Sequence, residues 1–284
     1  MTPPERRDAA AFLVAEQGLS VKRSCAAVGL SRSAWYRPLQ DKLARDKAVI
    51  EALQTVVERH RRWGFWKCFK RLRLDGRPWN HKRVYRIYKD LGLNQKRRTK
   101  KRLPKREPVS MDVPNRPNAV WSIDFMHDTL YVGRRFRTLN VLDEGMREVL
   151  WIEVDTSLTG ERVVRVMEQL KQWHGLPEAI RCDNGPELLS TPFVAWCEDN
   201  DVEIRYIQPG KPNQNAYIER FNRTYREEVL SAYLFVDLDQ VREITWQWML
   251  EYNEERPHDS LGDLPPAIYR ARKEAGNSSF AVSS

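Results

Sequence analysis

Ala119-Val120-Trp121-Ser122-Ile123-Asp124-Phe125-Met126 sets large apolar side chains around Ser122 and Asp124, the alternating pattern of a strand with one buried face. Two more β-rich runs follow, Phe136–Leu142 and Val149–Val154, with Asp143-Glu144-Gly145 as turn residues between them. The rhythm then changes. Thr159–His174 carries Val163, Val164, Val166, Met167 and Leu170 toward one side of a helix. Pro177–Asp183 reads as a short strand ahead of Asn184-Gly185, Thr191–Asn200 as a helix and Val202–Ile207 as a strand. A polar loop, Gly210–Asn215, leads into a helix over Ala216–Leu230. Three consecutive strands followed by alternating helices and strands predict a mixed α/β sheet covered by helices.

Upstream of this region the pattern is all helical. Glu5–Gln17 and Val21–Val28 read as helices, and Gly29-Leu30-Ser31 as a tight turn with Ser31 capping a third helix through Trp35. Helix, glycine-containing turn, helix is the helix-turn-helix arrangement, with Lys22, Arg23, Arg32 and Arg37 supplying positive charge. The theme repeats over residues 43–95. Helices are expected at Ala44–His60, Phe65–Leu74 and His81–Leu91, the last capped by Asn80 and stopped by Gly92. Its exposed face would carry Lys82, Arg83, Arg86 and Lys89, as a major-groove reader requires. Eight of the eleven residues Lys96–Arg106 are Lys or Arg, so Lys96, Arg97, Arg98, Lys100, Lys101 and Arg102 form a basic linker suited to lie along phosphates.

The net charge of +9 hides an asymmetry: residues 1–110 carry +19 and residues 111–284 carry −10. A basic half joined to an acidic half fits polyanion binding at one end and cation collection at the other. Cys25, Cys68, Cys182 and Cys197 form no CxxC pair, which argues against a disulfide framework or a thiolate zinc site and for free thiols. Neither a signal peptide nor a membrane span is apparent, so the expected location is cytoplasmic, with no membrane partner.

Three acids stand out. Asp124 lies amid apolar neighbours inside the first strand, a costly place unless it is paired or binds a metal. Asp183 follows directly on the fourth strand, where open sheets present ligand groups, and Glu219 lies in the first turns of the helix from Ala216. If strands one and four are neighbours and that helix packs across them, the three carboxylates converge. Clustered carboxylates repel, which favours a bound cation, and oxygen-only ligands favour Mg²⁺ or Mn²⁺ over zinc. Two such ions roughly 3.5–4 Å apart activate an attacking oxygen and stabilise a leaving one in phosphoryl transfer.

The acids are separated by 58 and then 35 intervening residues. With their flanks, Trp121-Ser122-Ile123-Asp124-Phe125, Asp183-Asn184-Gly185-Pro186-Glu187 and Gly210–Ala216 leading to Glu219, this resembles the D,D(35)E arrangement of retroviral integrases and their bacterial insertion-sequence relatives. The tail Tyr252-Asn253-Glu254-Glu255-Arg256-Pro257-His258-Asp259-Ser260-Leu261-Gly262 adds to the likeness. Across nearly its whole length the chain is similar to second-frame (OrfB-type) transposases of the third bacterial insertion-sequence family. The resemblance implies a ribonuclease-H-like core that cuts element ends in double-stranded DNA to expose a 3′-hydroxyl, which then attacks another phosphodiester. It implies that Asp124 and Asp183 bridge two ions and that Glu219 completes one shell. It also implies a DNA contact by Arg226, seven residues after Glu219; Arg223, and Lys211 on the loop before that helix, are further candidates for touching DNA. A homo-oligomer on DNA near the nucleoid and an upstream-frame product, fused or separate, are the implied partners. Two departures stand out: no His-His-Cys-Cys zinc unit is present, and Gln214 stands where many relatives have Asp. Asp143, Glu144 and Glu187 are nearby acids expected to serve the fold or to sit behind the ligands.

The expected organisation is a helix-turn-helix unit at 1–40, a second helical DNA-binding unit at 43–95, a linker at 96–117, the catalytic core at 118–232, a helical extension at 233–275 and a flexible tail at 276–284. A nuclease of the same fold without strand transfer, and a catalytically silent DNA-binding regulator, are the rival readings.

Overall fold

The computed structural model of the protein describes residues 1–37, 42–94, 115–208 and 215–281. These divide into two compact units, Met1–Glu51 and Ala52–Ser284.

In the first unit, α1 (Pro3–Ala15), α2 (Val21–Ala27) and α3 (Arg32–Tyr36) pack on one another ahead of α4 (Lys42–Arg59), which runs on into the second unit. The Ser31 hydroxyl accepts the Ala34 N–H and caps α3. Gly29 sits at φ 65°, a left-handed conformation that costs glycine little. Arg6 donates to the Gly29 carbonyl at 3.0 Å and Arg7 to the Trp35 and Arg37 carbonyls, so these two cations close the helical turn.

The second unit is organised by β1 (Val120–Thr129), β2 (Arg135–Asp143), β3 (Glu148–Asp155), β4 (Ala179–Cys182) and β5 (Glu203–Tyr206). The sheet order is β3-β2-β1-β4-β5. β1, β2 and β3 pair antiparallel, whereas β4 lies parallel to β1 and β5 parallel to β4. This is the mixed sheet expected from three hairpin-spaced strands followed by helix-spaced ones. Alternation sends Trp121, Ile123, Leu139 and Val141 to one face, where they meet α7 (Gly160–His174) and α8 (Thr191–Asp199). The opposite face carries Met126, Phe136 and Leu142 against α9 (Ala216–Tyr225) and α10 (Leu238–Glu254). Asp124 pairs in register with Asn140 and so shares that second face.

Two elements differ from expectation. The helix over Ala216–Leu230 is α-helical only to Tyr225; Arg226–Leu230 wind as a wider π turn that closes with the Ser231 N–H on the Arg226 carbonyl. α11 (Pro266–Ala281) runs on inside the stretch expected to be a flexible tail, because Ala271, Lys273, Glu274 and Ala275 are strong helix formers.

The basic helices α5 (Phe65–Leu74) and α6 (His81–Asp90) belong to the same unit as the sheet. Arg59 reaches Glu251 and Glu255, and Lys70 reaches Asp259 and Asp263. The His60 imidazole stacks on Trp63 with 3.8 Å between ring centres and faces the same two glutamates of α10 and its C-terminal end. Among the described residues no helix is long and apolar enough to cross a membrane.

Candidate active site

Asp124 is half-buried in the middle of β1. One carboxylate oxygen accepts the Phe125 N–H at 2.9 Å, and the other accepts the Asn222 amide of α9 at 2.6 Å. Asn222 in turn accepts the amide of Asn140 at 2.7 Å, so β2, α9 and β1 are joined by a one-way chain of donors ending on Asp124. Asn140 is fully buried, and its own carbonyl has no partner among the described residues. Burial pushes the Asp124 carboxyl up to about 6; the Phe125 N–H and the Asn222 amide oppose this, and repulsion from Asp183 and Glu219 adds to it. β1, which carries Asp124, pairs parallel with β4, past whose end Asp183 lies, and Asn222 ties Asp124 to α9, the helix that carries Glu219.

Asp183 is exposed just past the end of β4, beside β1. Its carboxylate accepts the Gly185 N–H at 3.0 Å. A Cβ at position 185 would lie 3.0 Å from that same oxygen, so glycine lets the loop fold back onto Asp183. Glu219 is exposed in the first turn of α9, where the helix dipole favours a negative charge. Among the described residues no three His, Cys, Asp or Glu side chains form a ready-made metal-holding group. The donor chemistry fits a hard divalent cation: carboxylate oxygens whose charges raise the pKa of Asp124.

The neighbouring acids are already engaged. Asp143 is buried and accepts the N–H groups of Asn118, Gly145 and Met146 at 2.8–3.0 Å, which builds the turn between β2 and β3. Buried Glu144 accepts the Ser122 hydroxyl and Arg181. Glu187 pairs with Arg137, whose guanidinium lies 4.5 Å over the Phe125 ring. Burial works against the Glu187 carboxylate, but Arg137 outweighs it and leaves the pKa below the ordinary value.

The integrase core domain family matches residues 114–212 and again 200–266, and the HTH-like domain family matches residues 44–102. An insertion element IS476 protein of 39.2 kDa from Xanthomonas euvesicatoria is 36% identical over 99% of this chain and 81% of its own. An insertion element IS407 protein of 31.7 kDa from Burkholderia multivorans is 37% identical over 90% of this chain and 92% of its own. The chain belongs to the integrase-core transposases of insertion sequences. Escherichia coli K12 has a more distant relative of this transposase, the putative transposase InsK of insertion element IS150, at 23% identity over 86% of this chain and 91% of its own.

The basic residues of the transposase fall into three groups. Arg226 donates to Asp128 at 3.0 Å and to the His127 carbonyl at 2.7 Å, so it is tied to the end of β1. Arg223, one helical turn beyond Glu219, is exposed and has no ion pair among the described residues. On α6, Lys82 is exposed, Arg83 is half-buried and Arg86 faces Asp90 at 3.5 Å. Lys211, Lys96, Arg97, Arg98, Lys100, Lys101 and Arg102 lie outside the described residues, as does Gln214. All four cysteines are free and buried, and burial pushes Cys182 and Cys197 up to about 12, far from the reactive thiolate range.

Sequence reasoning overlooked Asn140 and Asn222. One signal was available: Asn222 stands three residues after Glu219 and therefore on nearly the same helical face. Asn140, inside a run of strand-forming residues, carried the same hint as Asp124: a polar group that burial penalises.

Proposed function

We propose that this transposase cuts the ends of its element and joins the freed 3′-ends to target DNA with Asp124, Asp183 and Glu219 as its catalytic residues. The observation that supports this reading is that Asn222 ties Asp124 of β1 to α9, the helix of Glu219, while β4, which ends at Asp183, lies directly beside β1. In the first step a water oxygen attacks phosphorus at the element end. The P–O bond to the 3′-oxygen breaks, and that oxygen leaves as a 3′-hydroxyl. In the second step this hydroxyl loses its proton to solvent and forms a bond to a target phosphorus, whose own P–O3′ bond breaks. No covalent protein intermediate is needed. Two Mg²⁺ ions, or Mn²⁺ in their place, would be held by the three carboxylates and would supply charge neutralisation at the reacting phosphate.

The Asn140–Asn222 chain fixes one Asp124 oxygen on the helix, and the Phe125 N–H holds the other, so the carboxylate is set in one orientation. Arg226, clamped on Asp128, fixes α9 against β1, and the exposed Arg223, one turn beyond Glu219, meets a DNA phosphate. The helix-turn-helix segments and the basic residues at 96–102 bind double-stranded element ends. Joining two ends requires at least two copies on DNA, and an upstream-frame product is the proposed accessory partner. Asp124→Asn is expected to abolish cleavage and joining in Mg²⁺ or Mn²⁺ while duplex binding survives in a gel-shift assay. Undiminished cleavage by the purified variant would exclude Asp124 as a ligand.

A further inference from the structure

Beside α9 lies a small cleft of 170 Å³. With about 30 Å³ of liquid volume per water, it holds roughly five waters or a single tetrahedral oxyanion with its shell. Its walls bring together Lys67 of α5, Arg147 from the turn before β3, Tyr217 and Arg220 of α9, and Arg256 and His258 of the C-terminal motif. The Arg256-Pro257-His258 motif, prominent in the sequence, has no part in the chemistry described above.

The cations outnumber the acids that meet them. Arg256 pairs with Glu228, and Asp259 is occupied by Lys70. Lys67, Arg147 and Arg220 have no ion pair among the described residues. Two buried nitrogens, Nη1 of Arg147 and Nε2 of His258, have no hydrogen-bond partner there. Burying unpaired donors is costly, and each such group in a native protein calls for an explanation, a bound water or ion among them. Arg147 is also held at φ 56°, an uncommon conformation for a bulky residue, while its guanidinium carbon lies over the Tyr217 ring, 3.6 Å from the ring centre. Burial and the neighbouring Arg256 lower Lys67 to about 8, and burial with the surrounding cations drives His258 down to about 3, so the imidazole is neutral.

We propose that this cleft is a phosphate-binding site, with Lys67, Arg147 and Arg220 as the charged ligands and His258 as a neutral one. Arg220 is adjacent to Glu219, so an anion seated here braces the helix that carries the third acid. The phosphate comes either from a DNA backbone, which rests on the proposed function, or from free phosphate, which does not.

The test uses the full chain and two probes. Inorganic phosphate is titrated against chloride at matched ionic strength while the thermal midpoint is followed. A short duplex is titrated at several salt concentrations. Phosphate is expected to raise the midpoint of the native protein saturably. Lys67→Met and Arg147→Gln are expected to lose that response relative to their own baselines, and Arg147→Lys to keep part of it. If the natural source is DNA, the slope of log affinity against log salt falls by about 0.9 in Lys67→Met, one contact's worth. An unchanged slope with a lost phosphate response assigns the cleft to free phosphate. No phosphate-specific response in the native protein, or an unaltered response in both Lys67→Met and Arg147→Gln, overturns the site. Asp124→Asn should respond to phosphate like the native protein, so failure of the catalytic reading and failure of the cleft are separable.

Discussion

Replacing Lys67 with methionine should make this protein more stable at neutral pH. The ammonium ordinarily titrates at 10.5 and is lowered to about 8 where it sits, chiefly by burial and then by Arg256, with Glu228 and Asp259 opposing and Arg220 adding to the effect. A depression of that size corresponds to about 3 kcal/mol of lost stability when the group is charged. Between about 8 and 10.5 the unfolded chain binds a proton at Lys67 that the folded chain has released, so stability gains from rising pH across this window. Below about 8 both states are protonated and the full penalty stands. Methionine keeps the apolar stem and removes the charge. Thermal unfolding of both proteins should therefore show Lys67→Met higher at pH 7 by roughly 5–10 °C for a unit of this size. The gap should narrow as pH rises toward 10. A Lys67→Met protein no more stable at pH 7, or a gap independent of pH, would refute the reasoning.

Other substitutions probe the remaining parts. Asn222→Ala removes the donor to Asp124 and strands the buried Asn140 amide, so a stability loss of about 1–3 kcal/mol in denaturant titrations should accompany slower end cleavage. Glu187→Gln breaks the pair with Arg137 and should lower the thermal midpoint at pH 7. Because the folded-state pKa of Glu187 is depressed, its stabilisation is present above the ordinary carboxylate range and fades as pH falls through the lower value; native and variant midpoints should therefore converge in acid. Lys70→Ala loses two partners that are largely exposed, Asp259 and Asp263, and should cost less than about 1 kcal/mol in the same measurement.

The period-two alternation over Ala119–Met126 already indicated a strand with Asp124 set among apolar neighbours, and the shift from strand spacing to helix spacing indicated the mixed sheet. β1 nevertheless runs on to Thr129, because pairing with β2 continues past the last apolar residue as far as Arg135. What Asp124 touches was not legible. Its link to Asn222 and Asn140 depends on strand register and on where α9 crosses the sheet, neither of which leaves a local mark. Arg226 shows the same limit. Its spacing from Glu219 was visible, but Asp128 as its partner required knowing that β1 ends beneath that turn of the helix. The attachment of α4 and α5 to α10 and the loop after it joins residues nearly two hundred positions apart through exposed charges, which any sequence of this composition offers in many combinations.

The two amides between β2 and Asp124 also constrain how this lineage can drift. Asn222 accepts from Asn140 and donates to Asp124, and Asn140 donates to Asn222, so neither position tolerates a lone replacement without orphaning its neighbour. Change at 140 and 222 should therefore arrive as a coupled pair, with either single intermediate selected against. A double-substitution cycle at these positions should show a strong departure from additivity.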